Sequence, residues 1–121
     1  MDDYGFYVGY LRFVVAKTPR DSRQVDGMMQ VLARIAAEIE EGGEFYAATE
    51  QLAPLARALA GVAGLLQQKI LPEVVAEQNQ RAEAQIRWAI DTSMTLMGRL
   101  TVAGDAGDHD PARPFSLLPP P

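Results

Sequence analysis

The sequence contains no cysteine and only one histidine in 121 residues. The absence of cysteine excludes disulfides, thiolate metal sites and cysteine nucleophiles, and it leaves the redox compartment undetermined. The single histidine, His109, lies among three aspartates in a run that resembles a site for a hard metal ion. A calcium loop also needs a bidentate glutamate at a fixed offset, which this run lacks. We therefore predict no metal and no cofactor, and we interpret the run as a solvated linker.

Basic clusters and phosphate-binding loops are also missing. Eleven Lys and Arg residues against sixteen Asp and Glu residues give a net charge of −5, and no short window concentrates the cations as a nucleic-acid site requires. Paired carboxylates such as Glu73 and Glu77 lie at predicted helix ends or face Arg81, so we interpret them as solvated charges rather than acid/base groups. The sequence therefore predicts neither a nucleic-acid partner nor an enzyme.

No hydrophobic run is long enough to cross a membrane. The most apolar stretch, Leu52 to Leu66, has fifteen residues and contains Pro54 and Arg57, whereas a transmembrane helix needs about 20 apolar residues. Its large apolar residues recur at steps of three and four, which is typical of the buried face of a soluble helix. The chain begins with two aspartates after its first methionine, without the positive charge of a secretory signal. We expect a cytoplasmic protein with no membrane span.

Helical periodicity runs through most of the chain and predicts an all-α fold. The aromatic opening fits a strand by propensity, but no later segment looks like a strand that could satisfy its backbone groups, so we predict a helix there. Thr18 and Pro19 are typical of a helix start, and Gly42-Gly43 of a helix end. Pro72 predicts a break or kink near Leu71. The four predicted helices, packed as a small antiparallel bundle within residues 1–103, are Asp3 to Lys17, Pro19 to Glu41, Thr49 to Leu71 and the long Glu73 to Thr101.

Aromatic residues are concentrated near the start of the chain. Five of the nine lie between positions 4 and 13, which is more than one helix can bury on one face. Asn79 interrupts the apolar seam of the last helix, where a polar residue can fix the oligomeric state, although an Asn at a solvated helix end gives the same pattern. Trp88, beside this seam, fits the core, which we favour, or an interface anchor. The predicted oligomer interface comprises Tyr4, Tyr7, Tyr10, Asn79 and Trp88.

Gly61 and Gly64 fall among alanines in the third predicted helix and make that helix slender. A slender helix lets a neighbouring backbone approach closely. The neighbour is either another helix of the same domain, which we favour, or a helix from another chain, which indicates a role in assembly.

The last segment, residues 104–121, differs abruptly in composition. It holds five of the eight prolines and shows no hydrophobic periodicity, so we predict a disordered tail. Proline lowers the entropy that a peptide loses on docking, and this tail also carries large apolar side chains. We therefore predict that it binds a partner protein through Phe115, Leu117 and Leu118.

The leading functional hypothesis is a non-catalytic assembly or adaptor protein. It forms a homodimer or larger oligomer and binds a larger protein through its helical surface and its tail. The alternative is a ligand-binding regulatory bundle, in which adaptable side chains line an apolar cavity, namely Met28, Met29, Met94, Met97, Tyr7 and Tyr10. An enzyme with catalytic groups shared across a subunit interface ranks third.

Overall fold

The computed structural model describes residues 4–121 and is 75% helical, with four helices and little strand. The all-α fold class is therefore confirmed. Within the described residues, no helix is both long and apolar enough to cross a bilayer. The elements are α1 (Gly5–Lys17), α2 (Arg23–Gly42), β1 (Glu44–Phe45), α3 (Leu52–Leu65), α4 (Leu71–Ala76), α5 (Gln80–Ala106) and β2 (Phe115–Ser116), with α3 and α4 joined into one continuous helix.

The aromatic opening of the chain forms α1, as predicted. Tyr7, Val8 and Leu11 are its buried residues and mark the stripe that faces the core. The helix ends at Lys17, where the Thr18 hydroxyl donates a hydrogen bond back to the Val14 carbonyl at 2.7 Å. Thr18 therefore closes α1, whereas the sequence predicted that it opens α2. The predicted start at position 3 lies outside the described residues.

Helix α2 begins four residues later than predicted and ends at Gly42, one residue after the predicted end. Ser22 caps its start, since the Ser22 hydroxyl accepts a hydrogen bond from the Val25 backbone N–H at 3.2 Å. At the other end, Gly43 adopts the left-handed conformation with φ 72°. A Cβ atom added to Gly43 would lie 2.6 Å from the Tyr4 ring. Only glycine therefore satisfies both the backbone conformation and the close approach of α1.

Pro72 does not break the third helix at the predicted position. A π-helical turn, Leu66–Ile70, precedes it, and the Leu71 N–H donates to the carbonyl of Leu66, five residues back. Such a turn changes the hydrogen-bond register around a proline that has no N–H to donate. The helix continues to Ala76, and the chain reverses at Gln78, whose φ is 57°.

The last helix, α5, starts at Gln80 and not at Glu73. Asn79 caps it, because its side-chain oxygen accepts a hydrogen bond from the Ala82 N–H at 3.1 Å. Asn79 thus has the helix-end role that the sequence left open. With 27 residues, α5 is about 40 Å long at about 1.5 Å per residue.

The core lies between α5 and the faces of α1, α2 and α3. Contacts between α3 and α5 are the most extensive in the fold, followed by those between α1 and α2. The largest fully buried side chains come from all four helices and from β1, namely Tyr7, Leu11, Leu32, Ile35, Ile39, Phe45, Leu55, Leu59, Leu66, Ile86, Leu96 and Leu100.

The C-terminal segment packs against the helices, whereas its composition predicted disorder. Residues 104–106 belong to α5, so the predicted boundary after residue 103 falls inside a helix. Beyond Gly107, β2 pairs antiparallel with β1, with Phe115 opposite Phe45. The Leu117 N–H donates to the Gly43 carbonyl at 3.1 Å. The prediction failed because the contacts that order this segment come from residues far earlier in the chain.

A buried pair of hydroxyl groups joins α1 to α5. The Tyr7 and Ser93 hydroxyls lie 2.8 Å apart, and both residues are fully buried. Burial raises the pKa of the Tyr7 phenol well above its usual value, and the Ser93 hydrogen bond offsets part of that rise. The adjacent Thr92 hydroxyl is also buried but has no hydrogen-bond partner among the described residues.

Substitutions at Ser93 and at the neighbouring Thr92 should change the free energy of unfolding in opposite directions. Ser93→Ala leaves the Tyr7 hydroxyl buried without its partner and should lower the free energy of unfolding by about 1 to 3 kcal/mol. Thr92→Val removes an unpaired hydroxyl at nearly constant volume and should raise that free energy by about 1 kcal/mol. Urea unfolding measures both values. Equal destabilisation by the two substitutions would contradict the hydrogen-bond assignment.

Candidate functional site

The predicted partner-binding residues of the tail contact their own chain. The Phe115 ring stacks on Phe45 with ring centroids 5.5 Å apart. Leu117 is 8% exposed and belongs to the core cluster. Leu118 is half-buried. In this fold Leu117 therefore lies in the core, Phe115 and Leu118 are partly covered, and the tail packs against the helices.

Polar contacts fix the rest of the tail. Arg99 donates to the Ser116 carbonyl at 2.9 Å, and the Trp88 indole N–H donates to the Pro119 carbonyl. His109 stacks on Phe115 at 5.6 Å, and its Nε2 lies 2.7 Å from the Ala47 carbonyl oxygen. His109 thus packs the tail against the segment before α3. Among residues 4–121, no group of three or more His, Asp or Glu side chains could hold a metal ion.

The predicted oligomer interface is divided between the core and the surface. Tyr7 is fully buried, so another subunit cannot reach its side chain in this fold. Tyr4 and Tyr10 are half-buried against the core, and burial raises the pKa of Tyr10. Asn79 is exposed as a helix cap. The five residues therefore do not form one surface.

Trp88 explains how a single helix accommodates so many aromatic residues. Its indole ring is half-buried and contacts the rings of Phe6 at 5.3 Å, Tyr7 at 5.6 Å and Tyr4 at 6.3 Å between centroids. Aromatic pairs at such distances and tilted angles are favourable. Much of the surplus aromatic surface is therefore covered by α5 rather than left for a subunit contact.

An apolar groove lies between α1, α2 and α3, and we call it the α1–α3 groove. Its volume is about 420 Å³. Two cations, Lys17 and Arg57, belong to its wall, and both side chains are exposed. The other lining residues are mostly apolar and small or flexible: Phe13, Val14, Thr18, Pro19, Val25, Met28, Met29, Ala58, Gly61 and Leu65.

Gly61 lines the α1–α3 groove without a side chain. A Cβ atom added to Gly61 would meet nothing within 4 Å, and the same holds for Gly64. The two glycines are therefore not required for close packing inside the domain, which was the explanation favoured from the sequence. A glycine inside a helix costs roughly 0.5 to 1 kcal/mol relative to alanine, and within residues 4–121 no close contact at the Cβ position requires a glycine at position 61.

The methionines and tyrosines predicted to line one cavity are separated in the structure. Met28 and Met29 line the α1–α3 groove, whereas Met94 lies on a different surface, on the outside of α5. Local periodicity indicates Gly61 and Met28 but gives no sign of Phe13, Lys17 or Arg57 at the same site. Three different helices bring these residues together, and only the tertiary structure reveals the groove.

Comparisons of this chain with protein-family models, with curated proteins and with solved structures gave no match.

The packed tail predicts a clear response to one substitution. Leu117→Ala removes a buried side chain and should lower the free energy of unfolding by about 2 kcal/mol or more. Ser116→Ala, at an exposed position in the same strand, is the matched control and should change it by less than about 0.5 kcal/mol. Chemical denaturation gives both values. If Leu117→Ala had no more effect than its control, the tail would not be part of the folded core.

Proposed function

We propose that this chain is a non-catalytic assembly protein that binds an amphipathic helix of a protein partner in the α1–α3 groove. The observation that carries the proposal is the combination of a mostly apolar wall, an exposed glycine in that wall and two exposed cations. Apolar anchors of a partner helix would occupy the groove, as in other helix-in-groove complexes. Acidic residues beside those anchors would meet Lys17 and Arg57.

The openness of the groove favours a macromolecular segment over a small molecule. A volume of about 420 Å³ falls within the range of small-molecule sites, which is roughly 300 to 1,000 Å³, and this observation supports a regulatory ligand as the second candidate. Small-molecule sites, however, bury most of the ligand surface. Phe13 is 45% exposed and Gly61 is also exposed, so one side of the groove is open to solvent.

We further propose that the helices pack as an antiparallel bundle, which supports this function by turning the bare side of α3 outward. A Cβ atom built at Gly104, near the end of α5, lies 4.0 Å from Leu52 at the start of α3. Gln67, just beyond α3, shares a surface depression with Arg87 near the start of α5. The packing of α3 against α5 buries the leucine residues of α3 and leaves Gly61 facing the groove.

The folded tail supports the groove as the partner site in place of Phe115, Leu117 and Leu118. A partner that bound those side chains would first have to remove Leu117 from the core, at a cost comparable to the burial of a leucine, roughly 1.5 to 3 kcal/mol. The α1–α3 groove needs no such rearrangement, because its wall is already open.

A pair of glycine substitutions tests this function. Gly61→Gln places a side chain in the groove, and Gly64→Gln places the same side chain on the same helix outside the groove lining. Both should raise helix stability by up to about 1 kcal/mol, so misfolding cannot explain a loss of binding. Affinity capture from the native host, followed by mass spectrometry, compares the variants with the unaltered chain.

The expected result is a partner that the unaltered chain and Gly64→Gln retain and that Gly61→Gln loses. Retention of the same proteins by all three forms would show that the groove is not the binding site. No retained protein in any form, together with no self-association, would rule out an assembly function.

A further inference from the structure

A second unpartnered apolar surface runs along the outside of α5. Met94 is 49% exposed and Val102 is 68% exposed, and Gly98 between them has nothing within 4 Å of an added Cβ. Asp91 and Asp105 extend the same row at steps of three and four residues, so all five lie on one helical face. We call these five residues the outer α5 stripe.

The outer α5 stripe and the α1–α3 groove have opposite charges. The stripe has an aspartate at each end, whereas the groove wall contains Lys17 and Arg57. In the described part of the chain, the ion pairs involve other residues, and none of these four charged groups takes part in one. At these four positions the stripe is acidic and the groove wall is basic. Arg99, which is exposed, borders the same patch of α5, and Arg57 and Asp105 of one chain also line a common depression between α3 and α5.

We propose that the α1–α3 groove of one copy binds the outer α5 stripe of a second copy. This inference rests on the proposed function and identifies the partner helix as one from the same chain. Met94 and Val102 are the apolar anchors that enter the groove, and Asp91 and Asp105 face the cations of its wall. Glycine on both surfaces, at positions 61 and 98, lets the two helix backbones approach closely.

The two surfaces are different, so the contact is heterologous. Each bound copy still has a free groove or a free stripe, and a head-to-tail contact therefore continues into a ring or an open filament. We expect one helix face in one groove to bury less than the roughly 800 Å² per partner of a standard interface. We therefore expect weak association that depends on protein concentration and weakens in high salt, which screens exposed charges.

Complementary variants test this contact. Gly61→Gln blocks the groove and leaves the stripe intact. The double substitution Met94→Lys and Val102→Lys removes the stripe and leaves the groove intact. Val75→Lys is the matched control, because Val75 is an exposed apolar residue on α4 with a similar exposure of 45%. Circular dichroism and urea unfolding first establish that each variant is folded, and sedimentation velocity at increasing concentration then measures the mass.

We expect the unaltered chain and Val75→Lys to form species larger than a dimer as the concentration rises. The groove variant alone and the stripe variant alone should remain monomers up to several hundred micromolar. An equimolar mixture of the two should form a heterodimer and nothing larger, because it contains one working groove and one working stripe. Only a heterologous contact between these two surfaces gives this pattern.

Three results would overturn the inference: an unaltered chain that stays monomeric at several hundred micromolar, a mixture that stays monomeric, or a single variant that associates as well as the unaltered chain. A monomeric chain that still captures a host protein through Gly61 leaves the proposed function standing and refutes only the second copy as the partner. A monomeric chain that captures nothing refutes both.

Discussion

The packing of α3 against α5 is the contact on which the rest of the structure depends. A helix in a small domain buries one apolar stripe, and α3 buries Leu52, Leu55 and Leu59 along with its smaller neighbours. This leaves the opposite side of α3 with glycine and alanine, including Gly61, whose surroundings are empty. Helices α1 and α2 pack beside that bare side without filling it. The α1–α3 groove therefore forms because α3 buries its large side chains in the core and leaves small residues on its other side.

Trp88 links the two ends of the chain to the same helix. Its ring contacts Tyr4, Phe6 and Tyr7 near the start of the chain, and its indole N–H donates to the carbonyl of Pro119 in the tail. The sequence predicted that the aromatic residues and the tail are binding surfaces. In the structure, most of these side chains contact other parts of the same chain. Two apolar surfaces that stay exposed are the groove, with Lys17 and Arg57, and the outer α5 stripe. We propose that these two surfaces bind a partner.

Local sequence patterns predicted those parts of the fold that depend on neighbours along the chain. The stripe of α2 and the left-handed stop at Gly43 follow from periodicity and from the conformational freedom of glycine. The same patterns failed for Leu117, because its place in the core depends on β1, and for Tyr7, because Trp88 covers it from another helix. They predicted a break or kink near Leu71, where the structure has no break and a π-helical turn, Leu66–Ile70, directly precedes that position. Gly61 was recognised as unusual, but only the fold shows that its neighbourhood is empty.

A dilution series followed by amide NMR spectra measures most directly whether the groove of one copy binds the stripe of another. The Gly61 and Gly98 signals report on the groove and the stripe. If the groove of one copy binds the stripe of another, both signals shift with protein concentration and fit a single dissociation constant. Gly64, which lies outside the groove lining, shifts less. Signals that stay fixed over the whole series, or a shift at only one of the two surfaces, would contradict the account.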